Sequence, residues 1–108
     1  IEIPAGKLEP GELPEVTAAR ELEEETGYGC NELTYLQSFA TSPGFADEVI
    51  HLFVARGLYK IENRAAMDED EFVELMEITV EEGERMVAQQ KIFDAKTAFA
   101  ILWLKMQG

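Results

Sequence analysis

The stretch RELEEETGYG, residues 20–29, places four glutamates within five consecutive positions directly behind one arginine. Residues 20–26 of this stretch end a longer run of helix-forming residues, PEVTAARELEEET at 14–26. The run opens with Pro14, a residue type favoured in the first helical turn. Gly27 follows the run, and glycine is the usual residue just past the end of a helix. The sequence therefore predicts one acidic helix that begins at Pro14 and stops at Gly27.

On this helix, residues four positions apart share a face, so Glu21 and Glu25 are neighbours and Arg20 lies beside Glu24. Each pair of like charges at this spacing costs about 0.2–0.5 kcal/mol when nothing neutralises it. One arginine cannot neutralise four acids. Two interpretations remain open: a solvated acidic face, or an open carboxylate site for Mg²⁺ or Mn²⁺, which prefer oxygen ligands. The apolar stripe predicted to face the core consists of Val16, Ala19 and Leu22.

The rest of the chain alternates between strand and helix patterns. Residues 1–3, 33–41, 48–59 and 72–78 have strand-like composition, and 48–59 is apolar enough to predict a strand buried on both faces. Thr79 and Glu82 form a capping-box pattern before a helix at 80–90, and Asp94 precedes a last helix at 95–107. Strands interleaved with helices predict an α/β (α+β) domain around one mixed sheet.

Composition limits the function classes. The 108 residues suffice for one domain, and 22 acids against 9 bases give a net charge of −13. We therefore expect no nucleic-acid or membrane partner, because both require a basic patch, and a phosphate compound would need a cation between itself and the protein. The single cysteine, Cys30, and the lack of a long apolar run fit a cytoplasmic protein. Because the chain opens on Ile rather than Met, we expect it to be part of a longer protein.

Spacing separates the two interpretations of the acidic helix. Gly6, Glu12 and the stretch that follows form the pattern G-x5-E-x7-R-E-L-x-E-E-x-G-Y, which ends at Tyr28. This pattern resembles the Nudix box, the signature of the Nudix hydrolase family, with Tyr28 in place of the usual bulky aliphatic residue. The resemblance favours a metal site. It implies a Nudix fold, an α/β/α sandwich around a mixed β-sheet, for a catalytic domain at 1–108.

Nudix hydrolases cleave a nucleoside diphosphate linked to another group by attack of water on a phosphorus atom, and the resemblance implies a role for each box residue. Glu21 and Glu25 would be the principal ligands of Mg²⁺, or of Mn²⁺ or another divalent cation. Glu24 would be an additional ligand with a part in catalysis, the carbonyl oxygen of Ala5 would be a backbone ligand, and Arg20 would orient the glutamates.

Three further box positions would be structural under the same resemblance. Gly6 would permit a tight bend beside the metal, and Gly27 would end the helix. Glu12 would be a structural partner that supports the ligands from outside.

Pro43 lies sixteen positions after Gly27, a spacing similar to that of the ADP-ribose pyrophosphatase branch, and nearly the whole chain resembles its bacillus-type members. In the alternative interpretation, SPGF at 42–45 is only a turn between two strands and has no role in substrate binding. In the branch, the segment around the turn approaches the terminal ribose of the substrate. The substrate-binding residues implied by the resemblance are Thr41, Ser42 and Gly44.

The acidic segment DEDEFVEL, residues 68–75, is either a solvated turn or the source of the general base. In the ADP-ribose branch, the loop before the following strand supplies a catalytic glutamate and a further carboxylate near the metals. Glu69 matches the base best and Glu71 the metal-proximal acid, with Glu71 as the base in the alternative register. His51 lies in an apolar strand and is expected to be a core or supporting residue.

The resemblance implies Mg²⁺-dependent hydrolysis of ADP-ribose to AMP and ribose 5-phosphate. Alternatives are another nucleoside diphosphate substrate, such as an ADP-sugar, a dinucleotide or an oxidised nucleotide, and a non-catalytic Nudix-fold binding module. Members of this branch carry an N-terminal region that helps build a homodimer and recognises adenine. We therefore expect a homodimer for the full-length protein, with its adenine-contacting residues before Ile1.

Overall fold

The computed structural model describes residues 1–45, 47–61 and 74–107. The helices and strands in chain order are α1 (Pro14–Thr26), β1 (Tyr28–Ala40), β2 (Val49–Lys60), α2 (Val80–Ala88) and α3 (Ala95–Gln107). They belong to two compact units: Pro4–Leu75, and Ile1–Ile3 together with Met76–Gly108. None of the described helices has both the length and the apolar character needed to cross a bilayer.

Helix α1 has the predicted bounds. Pro14 occupies its first turn, and Gly27 ends it in the left-handed conformation with φ 79°, its N–H donating to the carbonyl of Glu23 at 2.8 Å. The helix packs on both strands of the unit. Its predicted apolar stripe is wrong, because Val16 is 49% exposed whereas Thr17 is only 5% exposed. The buried face of α1 is therefore polar.

Strands β1 and β2 form an antiparallel pair whose register runs from Tyr28 opposite Lys60 to Ala40 opposite Val49. Both strands were predicted, although β1 begins five residues earlier than expected. The expectation that β2 is buried on both faces is wrong. Leu52 is its one buried residue, since α1 is the only described helix of this unit that covers the pair.

The second unit is built on two capped helices. The predicted capping box is confirmed, with the N–H of Glu82 donating to Thr79 Oγ1 at 3.1 Å and the N–H of Thr79 donating to Glu82 Oε1 at 3.0 Å. The carboxylate of Asp94 caps α3 by accepting from Thr97 N–H at 3.1 Å. Helices α2 and α3 pack together around Ile101, which is 7% exposed.

Two predicted strands are not formed among the described residues. Within that part of the chain, residues 1–3 have no strand partner; the N–H of Ile3 instead donates to the hydroxyl of Thr97 at 3.2 Å. Residues 74–78 are irregular, and Leu75 and Met76 there are more than half exposed, because no partner strand among the described residues pairs with them. The remaining positions of that prediction, 72 and 73, lie outside the described residues.

Candidate active site

The polar face of α1 is covered by the loop that precedes the helix. Thr17, Glu21 and Glu25 follow one another at four-residue spacing, so they lie along one side of α1. The backbone of Ala5 reaches this side, since its N–H donates to Glu25 Oε2 at 3.2 Å. Farther along the loop, Glu12 contacts the same side. The loop and α1 thus bring together, within one unit, the residues that the box predicts.

Arg20 is the centre of these contacts. Its Nε and Nη2 donate to the two carboxylate oxygens of Glu12 at 3.1 and 3.0 Å, a forked arrangement that suits the planar guanidinium. Its Nη1 lies 3.0 Å from Glu21 Oε1 and 3.2 Å from Glu24 Oε2. We call Glu12, Arg20, Glu21 and Glu24 the Arg20 cluster. One arginine therefore contacts three of the predicted box acids at once.

Within the Arg20 cluster, the ion pair between Arg20 and Glu12 shifts the pKa values of both residues. Hydrogen bonds from Arg20, then from Thr17 and the backbone N–H of Glu9, lower the pKa of Glu12 to about 2. The hydrogen bond to Glu12 raises the pKa of Arg20 above its already high ordinary value. The Glu12 side chain is only 11% exposed, so water screens this pair weakly. The pair therefore stays ionised throughout the pH range in which the protein would work.

Gly6 lies against Glu21, and its predicted role in a tight bend beside the metal stays a prediction. Its backbone does not have the positive φ that Gly11, Gly27 and Gly44 adopt. A β-carbon at Gly6 would instead lie 2.0 Å from the carboxyl carbon of Glu21. Any larger residue at this position would therefore displace the carboxylate end of the Glu21 side chain.

The donor set fits a hard divalent cation in its chemistry. Glu25 contacts Ala5 and Glu21 lies against the next residue, Gly6, and carboxylate and carbonyl oxygens are the ligands that Mg²⁺ and Mn²⁺ prefer. In the part of the chain that the structure describes, no three Asp, Glu, His or Cys side chains form a group that could hold a metal. Glu69 and Glu71, the predicted base and further ligand, lie outside that part.

The loop between the strands carries the predicted ribose-contacting residues. The N–H of Thr41 donates to the carbonyl of Glu48 at 3.2 Å, and the N–H of Phe45 donates to the carbonyl of Ser42 at 3.0 Å. Gly44 has a φ of 82°, and Pro43 precedes it in the turn. These bonds confirm the turn; contact of its residues with ribose stays a prediction.

Two sets of polar contacts were not predicted from the sequence, although His51 itself was expected to be a core or supporting residue. The hydroxyl of Thr17 donates to Glu12 Oε1 at 2.6 Å, although Thr17 occupies an unspecified position of the box. A second hydrogen-bonded series joins the hydroxyls of Tyr35 and Ser38 at 2.6 Å, and Ser38 Oγ to His51 Nδ1 at 2.6 Å. His51 is half-buried, as a supporting residue would be. The alternation of polar and apolar residues along each strand does not indicate that Tyr35, Ser38 and His51 meet.

Comparison with known proteins defines the class. The pattern of the NUDIX domain matches residues 1–98, so this chain belongs to the Nudix family, whose hydrolases generally use divalent cations. A methanol dehydrogenase activator of Bacillus methanolicus is 60% identical, with 99% of this chain aligned to 58% of that protein. An ADP-ribose pyrophosphatase of Bacillus subtilis (strain 168) is 55% identical over the same shares.

A solved structure of an ADP compounds hydrolase superimposes with a TM-score of 0.75 and 28% sequence identity, covering 94% of this chain and 56% of that one. This match confirms the predicted α/β class and Nudix fold. The chain spans 58% of the length of the two Bacillus relatives.

Proposed function

We propose that this chain provides the catalytic machinery for Mg²⁺-dependent hydrolysis of ADP-ribose to AMP and ribose 5-phosphate. The observation that carries the proposal is that Arg20 contacts three box acids while two acids of the same helix, Glu21 and Glu25, lie against the backbone of Gly6 and Ala5. The Arg20 guanidinium, bound by Glu12, donates hydrogen bonds to the carboxylates of Glu21 and Glu24. Nearer the end of the helix, the N–H of Ala5 in the preceding loop donates to Glu25. A solvated acidic face has no need of such an arrangement.

In this proposal, the Ala5 carbonyl and the carboxylates of Glu21, Glu24 and Glu25 would hold the cation after their side chains draw together around it, since among the described residues no three such side chains form a group that could hold a metal. A bound Mg²⁺ would polarise the phosphoryl oxygens and lower the pKa of a bound water. Arg20 would keep Glu21 and Glu24 in place while they bind. The cation would also offset the repulsion between the pyrophosphate and a protein of net charge −13.

The proposed substrate class draws on the named relatives. One is called an ADP-ribose pyrophosphatase and another, 40% identical and from Cronobacter sakazakii, a GDP-mannose pyrophosphatase. Both names describe a nucleoside diphosphate joined to a sugar. Under the ADP-ribose assignment, Thr41, Ser42 and Gly44 would contact the terminal ribose, and Glu69, or Glu71 in the alternative register, would take the proton from the attacking water. We further propose a cytoplasmic homodimer for the full-length protein.

The test is a substrate panel with Mg²⁺ on the full-length protein, containing ADP-ribose, GDP-mannose, an ADP-sugar, a dinucleotide and an oxidised nucleotide. ³¹P NMR identifies the products, and AMP with ribose 5-phosphate is expected from ADP-ribose. Cleavage of a different compound while ADP-ribose stays intact would reject the substrate and keep the hydrolase. Binding without cleavage of any compound would support the non-catalytic alternative.

The metal role is tested by a matched pair of variants on one helix. Glu25→Gln removes a proposed ligand and should lower kcat at least about 10²-fold, the scale of losing one transition-state stabiliser. Glu23→Gln makes the same charge change at an exposed, unspecified position of the box and should leave kcat near wild type. Isothermal titration with Mn²⁺ measures the loss of cation affinity separately. Equal activity and affinity in the two variants would contradict the proposed ligand set.

A further inference from the structure

Thr17 is the most deeply buried residue of α1, with 5% of its surface exposed, and its position in the box is unspecified. A buried hydroxyl needs a hydrogen-bond partner, because leaving it unpaired is costly. Two acceptors lie within reach: Glu12 Oε1 at 2.6 Å and the carbonyl of Leu13 at 3.3 Å. The shorter bond, to a charged oxygen, is the stronger one. The hydroxyl of Thr17 is therefore directed at Glu12.

This bond is the shortest of the three that hold Oε1 of the Glu12 carboxylate. Oε1 accepts from Thr17 at 2.6 Å, from the N–H of Glu9 at 3.2 Å and from Arg20 Nη2 at 3.0 Å. With Oε1 held, Oε2 is left to face Arg20 Nε at 3.1 Å. Both forked bonds to the guanidinium depend on that orientation, because the fork requires both oxygens in the plane of the arginine.

We infer that Thr17 is a positioning residue, because its hydroxyl orients the Glu12 carboxylate that holds Arg20. The nitrogen of Arg20 that is not used by Glu12, Nη1, contacts Glu21 and Glu24. Thr17 thus acts on the proposed cation ligands through two successive hydrogen-bonded groups. Its effect on catalysis rests on the proposed function; its effect on the geometry of Arg20 does not.

Valine has the shape of threonine without the hydroxyl, so Thr17→Val removes the bond and leaves the packing. Supporting residues of this kind typically change activity or metal affinity by about 10–100-fold. We expect Thr17→Val to lower kcat roughly 10-fold with little change in KM, because Thr17 is buried and little of it is accessible to a substrate. Thr17→Ser keeps the hydroxyl and should restore kcat most of the way to wild type.

The control is Thr26→Val on the same helix. The Thr26 hydroxyl donates to the carbonyl of Leu22 at 2.5 Å and accepts from the N–H of Tyr28 at 3.1 Å, so its loss affects the helix end and not the Arg20 cluster. The melting temperature should fall in this variant, while kcat stays near wild type. If Thr17→Val does not fold, Thr17→Ala gives the same comparison.

The second measurement needs no metal and no substrate. In ¹⁵N NMR spectra of the metal-free full-length protein, the Nε–H signal of Arg20, assigned by its loss in Arg20→Lys, should exchange slowly with water because Glu12 protects it. We expect fast exchange in Thr17→Val and slow exchange in Thr17→Ser and Thr26→Val. Slow exchange in Thr17→Val would overturn the inference. If the wild type does not cleave ADP-ribose, the proposed function fails, and this spectrum alone decides the role of Thr17.

Discussion

The contact between Gly6 and Glu21 allows stability and catalysis to be separated by one substitution. A β-carbon in Gly6→Ala would lie 2.0 Å from Glu21 Cδ and 2.1 Å from Glu21 Oε1. Ordinary contact begins at 3.4 Å, so the carboxyl group has to retreat by about 1.4 Å. Oε1 is the atom that Arg20 Nη1 holds at 3.0 Å, so the retreat also breaks that ion pair.

A misplacement of about 1 Å in a catalytic site costs on the order of 10²-fold in rate. We therefore expect kcat/KM of Gly6→Ala to fall at least about 10²-fold, equivalent to about 2.7 kcal/mol of transition-state stabilisation. The free energy of unfolding should change little. The lost ion pair costs about 0.2–1 kcal/mol, and the reduced freedom of the unfolded chain returns about 0.4–1 kcal/mol. Steady-state hydrolysis of ADP-ribose and thermal unfolding by circular dichroism measure the two quantities.

Gly11→Ala in the same loop is the matched control, with the opposite expectation. Gly11 has a φ of 79° and no atom within 4 Å of its would-be β-carbon. Alanine in this left-handed conformation costs about 1–2 kcal/mol of stability but does not displace Glu21. Activity should stay near wild type while the melting temperature falls. Near-wild-type kcat/KM in a folded Gly6→Ala protein would refute the idea that catalysis depends on the position of the Glu21 carboxylate.

Three further predictions concern stability. The folded-state pKa of Glu12 is about 2, below its ordinary 4.5. The stability that ionised Glu12 contributes is therefore complete above about pH 4.5 and is lost as the pH falls towards 2. The free energy of unfolding of Glu12→Gln, measured in urea, should depend less on pH in that window than that of the wild type. Asp94→Ala should cost about 0.5–2 kcal/mol in chemical unfolding, because α3 loses its cap. Gly83→Ala should lower the melting temperature, since its β-carbon would lie 2.6 Å from buried Ile101 Cδ1 and overpacking costs about 1–3 kcal/mol.

Local rules predicted the first residue of each helix and the end of α1, whereas α2 ends at Ala88, before the predicted residue 90. Pro14 and Gly27 act through their own backbone geometry, and Thr79 with Glu82 acts across three residues, so no distant part of the chain is needed to place them. The buried face of α1 could not be predicted in the same way. Hydrophobic periodicity assumes an apolar buried face, whereas here the preceding loop covers Thr17 with the carboxylate of Glu12.

The hydrogen bond between Ser38 and His51 was unpredictable for a different reason. The two residues face each other only because the strand register shifts between Tyr35 and Gln37. A one-residue irregularity of this kind changes which side chains meet across the strands, and alternation along one strand does not reveal it. Knowledge of each strand separately therefore leaves their polar cross-strand contacts undetermined.

The distribution of bonds around Arg20 explains how one arginine can serve a site with more acids than it can neutralise. Two of its nitrogens form the fork with Glu12, and the Glu12 carboxylate also accepts a hydrogen bond from Thr17. The third nitrogen is shared between those two glutamates at 3.0 and 3.2 Å. Under the proposed function, a cation that takes an oxygen from Glu21 would compete with one shared bond and not with the fork, so Arg20 would stay in place. Lysine could not divide its bonds in this way, because its single ammonium lacks the fixed fork.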